Sequence, residues 1–298
     1  MKKLLILFIV PLLSFCSKTT TEPVRKPDNV VIEPEKNKEP AEPTEPRKEL
    51  IYRKVGDAEL KMVINYPTGH KKGDRMPAIV FFYGGGWFTA SSTQFSGQAN
   101  RLKNEGMITI LADYRVKNIH NTTPFDALDD AKHAVSFLRE HAADLGINEN
   151  MLAAGGGSAG GHLAAATDLT GNGKAEGSAF SCRPNALVLF NPVFNNGPGN
   201  YGYDRIGSRY MEFSPFHNIK KGAAPAIIFL GTKDEYIPVS VAEDYKKAMD
   251  NVGSRCDLYL YEGQEHGFFN RPPYFDETLE KATVFLRSLG YLPPLKNR

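Results

Sequence analysis

A turn made almost wholly of glycine, Gly155-Gly156-Gly157-Ser158-Ala159-Gly160-Gly161, joins a short apolar strand ending at Ala153-Ala154 to the Ala-rich stretch His162-Leu163-Ala164-Ala165-Ala166. Within it, Gly156 to Gly160 reads G-x-S-x-G, the pattern that sets a serine on a sharp strand-to-helix turn with its hydroxyl above the sheet edge. Such a turn needs glycine two residues either side of the serine, because a Cβ there meets the crossing strand and helix. The helix that follows aims its first N–H groups, that of Ala159 included, at any oxyanion formed beside Ser158.

The same letters satisfy G-x-G-x-x-G as Gly155, Gly157 and Gly160, with Glu176 about twenty residues on. A ribose-binding acid belongs at the end of the next strand, whereas Glu176 falls in the loop-like run Gly171-Asn172-Gly173-Lys174-Ala175-Glu176-Gly177-Ser178. The serine-elbow reading is therefore preferred, and no cofactor is expected.

Strand and helix signals alternate around this turn. Leu50–Val55 and Glu59–Tyr66 read as an opening hairpin, and the unbroken apolar runs Pro77–Tyr83 and Met107–Ala112 as strands buried on both faces. Gln98–Glu105 reads as a short helix. Apolar positions Leu128, Ala131, Val135, Leu138, Ala142 and Leu145 recur at helical spacing over Pro124–Leu145. Strands at Ala186–Phe190, Ala226–Leu230 and Asp257–Tyr261 alternate with helices at Val239–Val252 and about Asp276–Leu289. The expected architecture is a mostly parallel, doubly wound sheet with helices on both faces.

Acyl transfer at Ser158 needs a base, an acid to orient that base, and donors for an oxyanion. Gly231-Thr232-Lys233-Asp234 follows the next-to-last strand and Glu265-His266-Gly267-Phe268 the last, so Asp234 and His266 complete the set, with Glu235 as a competing carboxylate. The chain order Ser158, Asp234, His266 is that of the serine-elbow hydrolases. Tyr83-Gly84-Gly85-Gly86-Trp87 leaves another strand end and is the candidate oxyanion loop. His162 is expected to make a structural hydrogen bond, and His70, His120, His133 and His141 to lie in loops or on an exposed helix face. Asp113 and Arg115 are expected to form an internal ion pair.

The amino terminus carries a different message. Met1-Lys2-Lys3 precedes an apolar run from Leu4 to Leu13 that is too short to span a bilayer. Residues 1–16 read as a secretory signal, with Leu13-Ser14-Phe15-Cys16 resembling a lipobox whose Cys16 would be lipidated; simple cleavage near Ser17 is the alternative. Residues 17–48, rich in Pro, Glu, Lys and Thr, read as a linker. Extended at about 3.1 Å per residue it would reach roughly 100 Å from an anchor. Residues 49–298 form the folded domain, placed in the periplasm or at the outer membrane.

A net charge of +2 and the lack of basic runs with interleaved aromatics argue against a nucleic-acid partner, leaving a small-molecule or oligosaccharide substrate. Cys182 and Cys256 could pair or stand apart as buried thiols, and no metal-ligand spacing is present.

The motifs Tyr83-Gly84-Gly85-Gly86-Trp87, Asp113-Tyr114-Arg115, Gly156-Gly157-Ser158-Ala159-Gly160-Gly161-His162-Leu163, Gly231-Thr232-Lys233-Asp234 and Glu265-His266-Gly267-Phe268 resemble those of the α/β-hydrolase esterases related to hormone-sensitive lipase and to bacterial carbohydrate (acetyl xylan or feruloyl) esterases. The resemblance spans about Leu50 to Leu289 and implies an α/β-hydrolase fold and a serine carboxylic-ester hydrolase. It also implies oxyanion donors at the N–H groups of Gly85, Gly86 and Ala159. Tyr83 stands where the family usually has histidine. Phe194–Lys221, carrying Tyr201, Tyr203, Arg205 and several amides, would hang over the site; Trp87, Tyr83, Tyr201 and Tyr203 are the expected substrate contacts. Acetyl groups on a xylan-type carbohydrate are the expected substrate, with feruloyl esters or other carboxylesterase or lipase substrates as the alternative. A peptidase would need an access-limiting domain for which the chain has no room. A silent binding protein on a hydrolase scaffold typically lacks one of serine, acid or histidine.

Overall fold

A computed structural model describes residues 46–294. The expectations placed on residues 1–16, on Cys16 and on nearly all of the linker lie outside that range; strand β1 opens at Arg47.

Eight strands, β1 (Arg47–Val55), β2 (Ala58–Asn65), β3 (Met76–Phe82), β4 (Ile108–Ala112), β5 (Ile147–Gly157), β6 (Ala186–Phe190), β7 (Ala226–Gly231) and β8 (Cys256–Tyr261), form one sheet in the order β1-β2-β4-β3-β5-β6-β7-β8. β2 runs antiparallel to both neighbours and all other pairs are parallel. The helices are α1 (Ser96–Asn104), α2 (Lys117–His120), α3 (Pro124–Glu140), α4 (Ala159–Leu169), α5 (Tyr203–Ile206), α6 (Tyr210–Phe213), α7 (Val239–Asn251) and α8 (Tyr274–Ser288).

The alternating directions of strand side chains divide the apolar runs between two cores. Val80 and Phe82 of β3 face a core shared with α3, α4 and α7, while Ile79 and Phe81 face one shared with α1 and α8. Every residue of α4 is buried. Its Ala and Gly content suits that position, since a helix hydrophobic all round belongs inside and small side chains let it approach the sheet.

Two expectations are corrected here. α3 ends at Glu140 with His141 as its cap, although Ala142 and Leu145 remain buried; the apolar spacing continues because the turn packs into the same core. Arg115 does not pair with Asp113. Its Nε lies 2.7 Å from the wholly buried Asp130 carboxylate, which also accepts from Arg53 and from the Arg115 backbone. Arg115 thus ties the end of β4 to the middle of α3. Cys182 and Cys256 are separate buried thiols, and burial pushes them up to about 11 and about 12 respectively.

Candidate active site

The glycine turn holds Ser158 at φ +53°, a conformation that costs a non-glycine residue on the order of 1–3 kcal/mol. Three backbone hydrogen bonds hold it there. Ser158 N–H donates to Phe190 O at 3.0 Å, and Ser158 O accepts from His162 N at 2.9 Å and from Val193 N at 3.3 Å. At roughly 1 kcal/mol each, they are of the size needed to offset the strain. A Cβ on Gly160 would stand 2.1 Å from Phe82 O and 2.3 Å from Tyr83 O, and one on Gly156 would stand 2.5 Å from Phe82 O. No side chain fits at either position.

Loops leaving β7 and β8 bring the partners in. Gly231 makes this possible, since a Cβ there would sit 2.1 Å from Gln264 O on the neighbouring loop. His266 Nε2 lies 2.9 Å from Ser158 Oγ, and His266 Nδ1 lies 2.7 Å from Asp234 Oδ2. The Asp234 side chain is fully buried. Its other oxygen accepts from the backbone N–H groups of Tyr236 and Ile237 at 3.0 and 2.9 Å. An ionised carboxylate only accepts, so the imidazole proton is assigned to Nδ1 and Nε2 is left to accept from the serine. Glu235 is exposed and takes no part in this relay.

On the far side of Ser158, Gly84 N–H donates to Gln94 Oε1 at 2.6 Å. The N–H groups of Gly85, Gly86 and Ala159 make no hydrogen bond among the described residues. Beneath the loop, Tyr83 and Tyr114 stack at 4.2 Å and exchange hydrogen bonds: Tyr83 Oη donates to Tyr114 O at 2.9 Å, and Tyr114 Oη to Tyr83 O at 2.7 Å. Tyrosine therefore braces the root of the loop by fastening the ends of β3 and β4 together.

Ser158 opens into a cavity of about 250 Å³ whose wall includes Gly84 to Gly86, Gln94, Asn191, Tyr201, Tyr236, Phe269 and Asn270. A larger polar hollow of about 480 Å³ lies over β1 and β2, beside Arg47, Lys61 and Asp113. It contains neither the serine nor the histidine, so the chemistry belongs to the smaller cavity.

Solved structures of Thermogutta terrifontis esterase 2 are similar to this chain over most of its fold. The native form is 38% identical with a TM-score of 0.80, covering 85% of this chain and 95% of its own; the propionate-bound form is likewise 38% identical, with a TM-score of 0.79, covering 84% and 97%. The chain belongs to the α/β-hydrolase esterases.

Two family models match different parts of this esterase, BD-FAE over residues 62–189 and the dienelactone hydrolase family over residues 201–287. The acetylxylan esterase of Xylanibacter ruminicola is 28% identical over 71% of this chain and 45% of its own length. Esterase LipC of Mycobacterium tuberculosis is 28% identical over 64% and 53%. The esterase spans about half the length of these curated relatives.

Of the expected substrate contacts, Tyr201 lines the cavity of this esterase and the other three do not. Tyr83 is buried in its pair with Tyr114. Trp87, at φ +58°, turns beneath the loop and packs edge-on against His162 and Phe213, away from the cavity. Tyr203 packs edge-on against Tyr210 within the insert. His162 was expected to hold a structural hydrogen bond. It stacks on Phe213 at 4.1 Å with the Phe213 backbone and the Asn196 side chain as hydrogen-bonding neighbours in loose geometry, and burial, which outweighs them, pushes it down to about 3. His70 is buried against Tyr66, and His133 is half-buried between Asp129 O and Glu176 O.

Tyr236, Gln94, Asn191 and Phe269 were missed. Tyr236 meets His266 edge-on at 5.0 Å. Asn191 reaches His266 Nε2 at 3.3 Å and accepts from Gly267 N at 3.0 Å, locking the histidine loop to β6. The available signal was position, for Asn191 directly follows a strand and Tyr236 stands two residues beyond Asp234.

Proposed function

We propose that the protein is a serine esterase that removes short acyl groups, acetyl foremost, from a carbohydrate alcohol outside the cytoplasm. The carrying observation is the relay from Ser158 Oγ through His266 to Asp234, opening on a cavity of about 250 Å³. His266 Nε2 takes the serine proton as Oγ attacks the ester carbonyl, and the free N–H groups of Gly85, Gly86 and Ala159 receive the developing oxyanion. The imidazolium, stabilised by Asp234, returns its proton to the leaving alcohol. Water, activated in the same way, then releases the acid.

Cavity size supports a short acyl group, since sites for drug-sized ligands run from about 300 to 1,000 Å³. Thermogutta terrifontis esterase 2 has been solved with propionate and with butyrate bound. The rings of Tyr201 and Tyr236 beside the amides of Gln94, Asn191 and Asn270 suit a polar ring-shaped alcohol, and the acetylxylan esterase relative points the same way.

Turnover of nitrophenyl acetate through dodecanoate, acetylated xylo-oligosaccharides and methyl ferulate tests this. We expect acetyl esters to lead, sugar acetates included. A preference for chains of about eight carbons or more, with no action on sugar esters, would overturn the substrate assignment; faster turnover of methyl ferulate would move it to aromatic acids.

The location rests on the signal and lipobox pattern ending at Cys16. Cys16→Ser is expected to move the protein from the membrane to the soluble fraction while leaving its activity on nitrophenyl acetate unchanged. Equal partitioning of mutant and wild type would remove the anchor.

A further inference from the structure

The oxyanion loop runs through three consecutive residues at positive φ: Gly85 at +128°, Gly86 at +63° and Trp87 at +58°. The last is an outlier for so bulky a side chain, and two glycines beside it leave the backbone with little intrinsic preference. The loop is held instead through its carbonyls. Gly85 O accepts from Phe88 N and Thr89 N at 3.0 and 3.1 Å, Trp87 O from Lys117 N at 3.1 Å, and Phe88 O from Asn118 N at 3.1 Å. The Gly86 carbonyl is held from across the fold, accepting from an Arg205 guanidinium nitrogen, whereas the side chain on Gly85 O is the local Thr89 hydroxyl at 3.5 Å.

Arg205 stands on α5 in the insert, 119 residues away in sequence. Its guanidinium carbon lies 5.3 Å from the Trp87 ring centroid and 5.1 Å from that of Tyr201. The plane of charge is thus fixed by two aromatic rings as well as by the carbonyl. The Tyr201 hydroxyl closes against the same glycine, 2.8 Å from where a Gly86 Cβ would stand. Arg205 also forms an ion pair through Nε with its neighbour Asp204, but at 3.7 Å and with the carboxylate largely exposed, so solvent screens it and the guanidinium's close partner is the loop.

We infer that Arg205 is a positioning residue for the oxyanion hole: by gripping the Gly86 carbonyl it fixes the peptide plane between Gly86 and Trp87, and with the Gly85 carbonyl held by Phe88 and Thr89 this pins Gly86 between two fixed planes and so holds the aim of its N–H at the reacting carbonyl. The insert then completes the catalytic apparatus as well as roofing it. Arg205 touches no reacting atom, and its effect passes entirely through Gly86.

This rests on the esterase reading, and the test separates the two. Wild type, Arg205→Ala and Arg205→Lys are compared on nitrophenyl acetate, and for inhibition by an aryl trifluoromethyl ketone. Ser158 Oγ adds to the ketone carbon, the carbonyl π pair becomes an oxyanion, and the hydroxyl proton passes to His266, so the adduct reports the hole directly. Removing an oxyanion donor outright costs about 10²–10³ in kcat. For Arg205→Ala we expect a loss of about ten- to a hundredfold, with KM held within about threefold and the ketone Ki rising in step with kcat. Lysine keeps the charge but not the flat fork between two rings, so Arg205→Lys should recover part of both losses. An inactive wild type would overturn the esterase reading and this inference with it. An active wild type with unchanged kcat and Ki in Arg205→Ala overturns the inference alone. So does a rise in KM without a matching rise in ketone Ki, which would make Arg205 a tie for the insert only. Should the alanine variant fail to fold, a lysine variant with wild-type kcat and Ki but a lowered melting temperature would likewise overturn it.

Discussion

Replacing Ser158 with alanine is expected to lower kcat on nitrophenyl acetate by about 10⁶, the scale seen when a serine hydrolase loses its nucleophile. The fold should be little affected. Alanine keeps the same Cβ at φ +53°, and the backbone bonds from Ser158 to Phe190, His162 and Val193 involve no side-chain atom. The loss is one hydrogen bond to His266 Nε2, which retains Asn191 within 3.3 Å. An unchanged melting temperature with no labelling by a serine-reactive fluorophosphonate is therefore the expected companion result. Residual turnover within tenfold of wild type, measured on the folded protein, would remove Ser158 from the mechanism.

Asp234→Asn is expected to cost about 10⁴ in kcat, as the equivalent change does in the trypsin-type triad, while Glu235→Gln should leave the rate within about twofold. Both oxygens of Asp234 are committed, one to His266 Nδ1 and the other to the N–H groups of Tyr236 and Ile237. In the asparagine variant those two donors still demand an acceptor, so the amide oxygen must face them and the NH₂ group must face the imidazole. The proton then moves to Nε2, and the ring offers Ser158 a donor where an acceptor is needed. Glu235 is exposed and has no such role. A greater loss for Glu235→Gln than for Asp234→Asn would reverse the assignment of the orienting acid.

How far sequence reading reached follows from how local each constraint is. Gly156 and Gly160 were legible because their requirement is set within a few residues of Ser158, by backbone that any strand-to-helix elbow must cross. The approach of Asp234 and His266 was legible because parallel strands deliver their carboxyl ends to one edge, whatever the loops contain. Trp87 and Tyr83 were misread for the opposite reason. Neighbouring a glycine loop says nothing of which side a ring takes, and a positive φ at Trp87 sends it under the loop. The partner of Arg115 was hidden in the same way, because Asp130 comes from the middle of α3 whereas Asp113 was adjacent only in sequence. Tyr236 and Gln94 carry no motif, and only the folded arrangement of loops makes them walls of the cavity.

The tyrosine pair beneath the oxyanion loop bears on the conditions under which the site keeps its shape. Burial raises Tyr83 above the ordinary phenol value and raises Tyr114 well above it. The unfolded phenols ionise near pH 10, so the pair's contribution to stability is constant below that value and declines only as alkalinity rises toward the native values. A histidine at position 83 would place a group whose unperturbed charge change falls near pH 6.5 at the root of the same loop. With tyrosine there, neither ring of the pair exchanges a proton through the mildly acidic and neutral range, and the fastening of β3 to β4 beneath the oxyanion loop is left unaltered by acidification of the medium.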